Sequence, residues 1–225
     1  MRSEGFPMSH DLKLFFAYTA CTRVTLTALE QVGAPYDAQL VLFEKGEHKS
    51  PDYLAVNPAG KVPCLLVDGE PLTENGAILR WLHAEYPDGG LFPAASSNWQ
   101  RAQQLSVLFW ISASWHPYVR AVKMPMAWTT GDIAPVRERG GELISGVLDR
   151  LDEELATRRW WFGDEWSIVD TYFWWAYINS EFGGFDLSPW KHIARHRADN
   201  EALPQLQRAL AKEQAAWDAR KEELG

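Results

Sequence analysis

Apolar and polar positions along the chain change their period near residue 97. Before it, short apolar runs alternate with turn signals. Leu12 to Ala17 reads as a strand. From Thr22, Val24, Ala28, Leu29 and Val32 recur on one helical face until Gly33 and Pro35 stop the helix. Tyr36 to Phe43 alternates as a second strand, so the order predicts a right-handed parallel crossover. Glu44 to Leu54 is a polar loop with a helical turn. Asn57-Pro58-Ala59-Gly60 is turn chemistry, Val62 to Val67 a short apolar run, and Asp68-Gly69 a hairpin signal that returns through Leu72 and Thr73. Glu74 and Asn75 then open a helix that buries Ile78, Leu79, Leu82 and Tyr86.

Pro87 to Ser97, rich in Pro, Gly and Ser, marks a domain boundary, and beyond it the strand pattern disappears. Helical spacing predicts one long helix over Asn98 to Lys123 and another through Val136, Leu143, Val147, Leu151 and Leu155. A third runs from Ser167 to about Phe182, and a last one from Leu203-Pro204 to about Lys221. Ser167-Ile168-Val169-Asp170 is a capping box, a folding element that makes Asp170 structural rather than catalytic. The expected architecture is an α/β thioredoxin-like domain over residues 11–87, followed by an all-α domain over residues 98–222.

Composition narrows the function. The 225 residues carry 22 basic and 30 acidic side chains, a net charge of −8, without a dense basic run. That argues against nucleic acid and anionic membrane as partners. No apolar stretch approaches a membrane span, and the first ten residues read as a loose extension in which Met8 is an alternative start. Two isolated cysteines, Cys21 and Cys64, make neither a disulfide framework nor a metal cluster, so a reducing cytoplasm and no metal are expected.

The stretch Asn57 to Ile78 combines a backbone kinked at Val62-Pro63 with a helix N-terminus beside Glu74 and Asn75. Open main-chain groups, a carboxylate and an amide suit a small peptide-like ligand bearing an ammonium and carboxylates. This run, N-P-x-G-K-V-P followed by L-T-E-x-x-A-I, resembles the glutathione-binding half of cytosolic glutathione transferases. The resemblance implies that Pro63 is cis, that the Val62 backbone pairs with the cysteinyl part of glutathione, and that Glu74 holds the γ-glutamyl group. Asn75 stands where the family usually has Ser, and Asn also donates and accepts hydrogen bonds. His48 and Lys61 match positions that bind the glycine carboxylate, opposite in charge to Glu74.

Three neighbours compete to activate the sulfur. Lys13 to Cys21 resembles the start of bacterial beta-class transferases, whose cysteine touches the glutathione sulfur. At a helix N-terminus a depressed thiol pKa is expected for Cys21; buried apolar filler is the alternative. Thr19 lies in F-A-x-T, which resembles nu-like transferases that use a threonine hydroxyl. Tyr18 is a phenolic donor at a poorer spacing. Val24 occupies the second position of a would-be C-x-x-C, which excludes dithiol cycling. Lowering a thiol pKa by about two units takes roughly 2.7 kcal/mol. His116, in Trp115-His116-Pro117, matches a beta-class histidine that faces the same sulfur or, alternatively, packs between helices; Pro117 bends its helix.

Trp110, Trp115 and Tyr118 are expected to line a pocket for an aromatic or flat apolar electrophile, whereas Trp160, Trp161, Trp174 and Trp175 pack between helices. The expected protein is thus a homodimeric glutathione transferase with glutathione as co-substrate and a hydrophobic electrophile as second substrate. Two alternatives stand beside it. One is a glutathione-dependent thiol transferase, reductive dehalogenase or ether-cleaving enzyme using Cys21 as nucleophile. The other is a non-catalytic hydrophobe-binding protein of the same fold.

Overall fold

The computed structural model describes residues 10–224; the loose extension and the Met8 start expected for the N-terminus fall on or overlap residues 1–9, outside the described residues. Strands β1 (Leu12–Phe16), β2 (Asp37–Leu40), β3 (Cys64–Val67) and β4 (Glu70–Thr73) form one sheet in the order β2-β1-β3-β4. β1 pairs in parallel with β2 and antiparallel with β3, and β3 pairs antiparallel with β4. Helices α1 (Thr22–Val32), α2 (Pro51–Val56) and α3 (Asn75–Glu85) complete a thioredoxin-like βαβ–ββα unit. The strands are shorter than the apolar runs suggest: β2 stops at Leu40 although Val41 and Leu42 are buried. Residues past a strand end still bury their side chains, so an apolar run marks burial better than pairing.

Alternation along β1 divides two cores. Leu12, Leu14 and Phe16 face the large core with α1 and α3, while Phe15 joins Val41, Tyr53 and Cys64 in a small one on the opposite face. The second half consists of α4 (Asn98–Trp110), α5 (His116–Lys123), α6 (Ala134–Leu155), α7 (Ile168–Phe182), α8 (Lys191–Glu201) and α9 (Pro204–Arg220). Every residue of α7 from Ile168 to Ser180 is buried, so it is the central helix of this layer. The large core is continuous between the halves, and the connecting Leu91 and Phe92 are buried in it.

Two expectations change here. The single helix from Asn98 to Lys123 is broken by a π-helical turn over Ile111–Trp115. Pro117 lacks the N–H that would continue the α-helical ladder, and the His116 N–H reaches the Ile111 carbonyl instead. Helix α8 was not expected at all, because its sequence KHIARHRADNE buries only Ile193, His196 and Asn200. Those few contacts are strong ones. Asp170 of the capping box accepts from Ser167 N–H (2.9 Å) and Trp161 N–H (2.7 Å) and meets His196 Nε2 at 3.0 Å. Among the described residues no helix is long and apolar enough to cross a membrane.

Candidate active site

The Val62–Pro63 peptide bond is cis. Behind it, the Lys61 carbonyl accepts from Tyr53 Oη at 2.6 Å and Asn57 Nδ2 at 2.7 Å, while Asn57 Oδ1 takes the Ala59 N–H at 3.1 Å. The Asn-Pro-Ala-Gly turn therefore holds the backbone that precedes Val62. Gly60 has φ 59°, and a Cβ there would lie 2.9 Å from the His48 carbonyl. Only glycine lets the His48 loop close against the Lys61 loop. His48 packs on Phe43 with ring centroids 4.3 Å apart, its Nδ1 has no hydrogen-bond partner, and burial, helped by the Lys49 charge, lowers its pKa. The Lys61 and Glu74 residues are both exposed.

Glu74 has φ 70°, a left-handed conformation rare for a residue with a side chain. It precedes α3 directly, at the positive end of that helix. Asn75 behaves differently from the expectation. Its side chain turns inward, accepting from Thr25 Oγ1 at 2.6 Å and donating to the Cys21 carbonyl at 3.2 Å, and the residue is only 5% exposed. Asn75 thus ties α3 to α1 and the Cys21 loop.

Cys21 caps α1, and its Sγ lies 3.9 Å from the Val62 carbonyl. The cysteine and the kinked backbone therefore face one point. The expected depression of the thiol is reversed: burial pushes the Cys21 pKa up to about 12, opposed by the Asn75 side chain and its own backbone N–H. A helix terminus contributes about 0.3–1 kcal/mol, too little against the loss of solvent around a thiolate. At neutral pH Cys21 is an S–H donor.

Thr19 also has a left-handed backbone, φ 58°, fixed from three sides. Its N–H donates to Glu213 Oε1 at 3.1 Å, its carbonyl accepts from Trp175 Nε1 at 3.4 Å, and its Oγ1 accepts from Lys123 Nζ at 3.2 Å. Glu213 is in turn paired with Arg23, Nε and Nη2 lying 2.8 and 2.6 Å from Oε2. Lys123 also donates to Asn179 Oδ1. A Cβ on Gly183 would stand 2.9 Å from the Lys123 backbone, so a glycine there lets the end of α7 close on α5. Burial lowers the Lys123 pKa to about 8, with the Arg23 charge adding to it. Because an ammonium only donates, the Thr19 oxygen accepts from Lys123, leaving its own proton free to point elsewhere.

Tyr18 is turned away: its hydroxyl donates to Gln214 Oε1 at 2.8 Å and its ring stacks on Trp217 with centroids 4.5 Å apart. His116 points into the structure between Trp175, at 4.4 Å between ring centroids, and the Tyr172 hydroxyl, 3.2 Å from Nδ1. Burial, reinforced by Arg120 and Lys61, lowers its pKa to about 4, so it is neutral at pH 7. Burial raises the Tyr172 pKa, and a Cys21 thiolate, were it to form, would add to that shift.

The expected aromatic wall is displaced. Trp115 is 0% exposed, locked among Trp110, Phe173 and Tyr177. Trp110 packs on Trp161 and Phe173 inside the helical layer. Tyr118 shares the face of α5 that carries Val122 toward α6, its own carbonyl lying beside Gly140. Trp110 and Trp115 thus pack inside the helical layer rather than toward Cys21. An exposed aromatic beside the Lys123–Thr19 contact is Phe182, 59% exposed, whose ring lies 5.6 Å from Lys123 Nζ. Trp160, Trp174 and Trp175 are buried between helices as expected. Lys123, Phe182, Tyr172 and Glu213 carry no local sequence signal, since each reaches the site only through the packing of α5, α7 and α9 on the first domain.

A thioredoxin-like sheet with a cis-Pro loop, an acid at the head of α3 and a cysteine at the head of α1 is an arrangement suited to a small thiol-bearing peptide. Family comparison then names it. The model for the glutathione S-transferase N-terminal domain matches residues 19–85, and that for the C-terminal domain residues 134–212. Maleylacetoacetate isomerase of Pseudomonas aeruginosa is 32% identical over 190 residues, covering 82% of this chain and 88% of the relative. Glutathione S-transferase GstA of Escherichia coli O157:H7 is 30% identical over 90% of this chain and 98% of the relative. A sphingomonad glutathione S-transferase complexed with glutathione superposes with a TM-score of 0.79 at 31% identity, over 89% of this chain and 98% of that one. The chain belongs to the glutathione S-transferase family; it is a glutathione transferase, with glutathione as co-substrate.

Proposed function

We propose that glutathione lies along the Val62–Pro63 backbone, with its γ-glutamyl group at Glu74 and the head of α3 and its glycine carboxylate at Lys61 and His48. Its sulfur then sits beside Cys21 and Thr19. The observation that carries this reading is the 3.9 Å approach of Cys21 Sγ to the Val62 carbonyl, the group expected to pair with the cysteinyl unit. The Thr19 hydroxyl and the Cys21 thiol act as donors that hold the glutathione thiolate, which attacks an electrophilic carbon; the new C–S bond forms as the bond from that carbon to its leaving group breaks, and the leaving group departs with the electron pair. Proximity supplies the rest, because both reactants are held at one cleft. The reading of Cys21 as nucleophile loses support from the raised thiol pKa.

The electrophile rests its apolar body on Phe182, in the place expected for Trp110, Trp115 and Tyr118. A cytoplasmic homodimer completes the proposal. Trp99 and Phe109 of α4 are 72% and 68% exposed, apolar area suited to an interface between two copies; a single monomeric boundary in sedimentation at micromolar protein removes that part. Immobilised glutathione should retain the wild-type protein, and Glu74→Ala should abolish retention. Undetectable binding at millimolar glutathione overturns the whole arrangement.

A further inference from the structure

The face of α5 toward the Cys21 loop carries two cations beside a neutral histidine. His116, Arg120 and Lys123 stand at i, i+4 and i+7, so they share one side of the helix. His116 contacts Tyr172 and Trp175, and Lys123 contacts Thr19, which fixes that side as the one facing the Cys21 loop. Arg120 lies between them and is exposed. Its charge acts on both Cys21 and His116.

Arg120 is also the odd one out among the described arginines. Arg23, Arg197, Arg208 and Arg220 are tied to carboxylates, and Arg150 lies over the Trp110 ring. The remaining arginines besides Arg120 each donate a side-chain hydrogen bond. Arg120 does neither. Lys123 has only neutral partners, the Thr19 hydroxyl and the Asn179 amide, which use two of its three donors. In a protein of net charge −8, two cations that make no ion pair with a carboxylate stand on the same side of α5, and Glu213 acts on Lys123 only at longer range. Phe182 supplies an apolar surface 5.6 Å from Lys123 Nζ.

We propose that Arg120, with Lys123, forms an anion subsite that selects electrophiles carrying a carboxylate on an apolar body. The body lies on Phe182 and the carboxylate takes the guanidinium fork. The second substrate is therefore an acidic electrophile rather than the purely apolar one the tryptophans suggested. This inference rests on the glutathione-conjugation reading above. In the step itself the glutathione sulfur forms a C–S bond at the electrophilic carbon. The leaving group departs with its bonding electron pair, and the thiol proton goes to solvent.

The test compares 4-chloro-3,5-dinitrobenzoate with its methyl ester as substrates for wild type, Arg120→Gln and Arg120→Lys. Both probes lose chloride to the same attack and differ in the anion. In Arg120→Gln, kcat/KM for the acid should fall at least about tenfold further than for the ester, through KM, and Arg120→Lys should recover part of the gap. Equal losses for the two probes would mean that Arg120 serves the glutathione thiolate, and would overturn the proposal, as would no loss for either. A catalysis-independent arm uses calorimetry with the two glutathione S-conjugates. Wild type should bind the acid conjugate more tightly than the ester conjugate, and Arg120→Gln should remove the difference. Equal affinity of wild type for both conjugates sinks the subsite. Loss of all glutathione binding instead sinks the conjugation reading, so the two failures are distinguishable.

Discussion

Replacing Glu213 by Gln should damage stability and catalysis together, although α9 contributes no expected catalytic group. Glu213 is 1% exposed, and Arg23 is 8% exposed. Two Arg23 nitrogens lie 2.8 and 2.6 Å from Oε2, and the other carboxylate oxygen takes the Thr19 N–H at 3.1 Å. Removing the charge leaves the Arg23 guanidinium buried without its counter-ion, at a cost of about 3–5 kcal/mol. An amide retains one acceptor oxygen, so the lower end applies, and a chain of this size should lose roughly 6–12 °C in Tm. The loop that holds Thr19 in its left-handed conformation loses its tether at the same time, so conjugation should drop beyond what the unfolded fraction explains. Urea unfolding and steady-state conjugation with the same preparations read both effects. The double variant Arg23→Met with Glu213→Leu removes both charges and should regain much of the stability, while conjugation stays low because the Thr19 N–H still lacks its acceptor. A Glu213→Gln protein within about 0.5 kcal/mol of wild type, with full activity, would refute the reasoning.

Cys21→Ser keeps a donor beside the sulfur and should keep conjugation within about tenfold, or about 1.4 kcal/mol of barrier; Thr19→Ala should cost more. Wild-type Cys21 should also react with iodoacetamide at pH 7.5 far more slowly than a free thiol, which mass spectrometry reads directly; fast alkylation would contradict the raised pKa. His116 takes its proton at about 4 in the fold against 6.5 for an ordinary histidine. The unfolded chain therefore binds the extra proton first, and the stability difference is fully present above pH 6.5 and lost as the pH falls toward 4. His116→Gln should narrow the gap between urea midpoints at pH 7 and pH 4.5, and an unchanged gap would show that His116 is not held neutral by burial.

Much of the first domain was written locally. Asn57-Pro58-Ala59-Gly60, Val62-Pro63, Asp68-Gly69 and Glu74 each act through backbone preferences that need few distant partners. Their order alone therefore placed the turn, the hairpin and the acid at the head of α3, and the strand Leu12 to Ala17 followed by helical spacing from Thr22 placed Cys21 at the head of α1. The capping box at Ser167 and Asp170 was legible for the same reason, and helical spacing located α1 and α6, although α1 and α7 are buried on nearly all sides and α6 buries Ile144 and Leu148 rather than Leu143 and Val147. Tertiary structure decided everything that depends on orientation. A π-turn before Pro117 interrupts the α4–α5 segment; Trp110 and Trp115 pack inside the helical layer, while His116 lies against Tyr172 and Trp175 and Lys123 reaches Thr19. Asn75 bonds inward because α1 brings Thr25 within 2.6 Å of it. The sign of the Cys21 shift also reversed, because the helix terminus is fixed by the local sequence while burial depends on what α3 and α7 lay over it. Period and turn chemistry are properties of neighbours in the chain; desolvation and side-chain aim belong to neighbours in space.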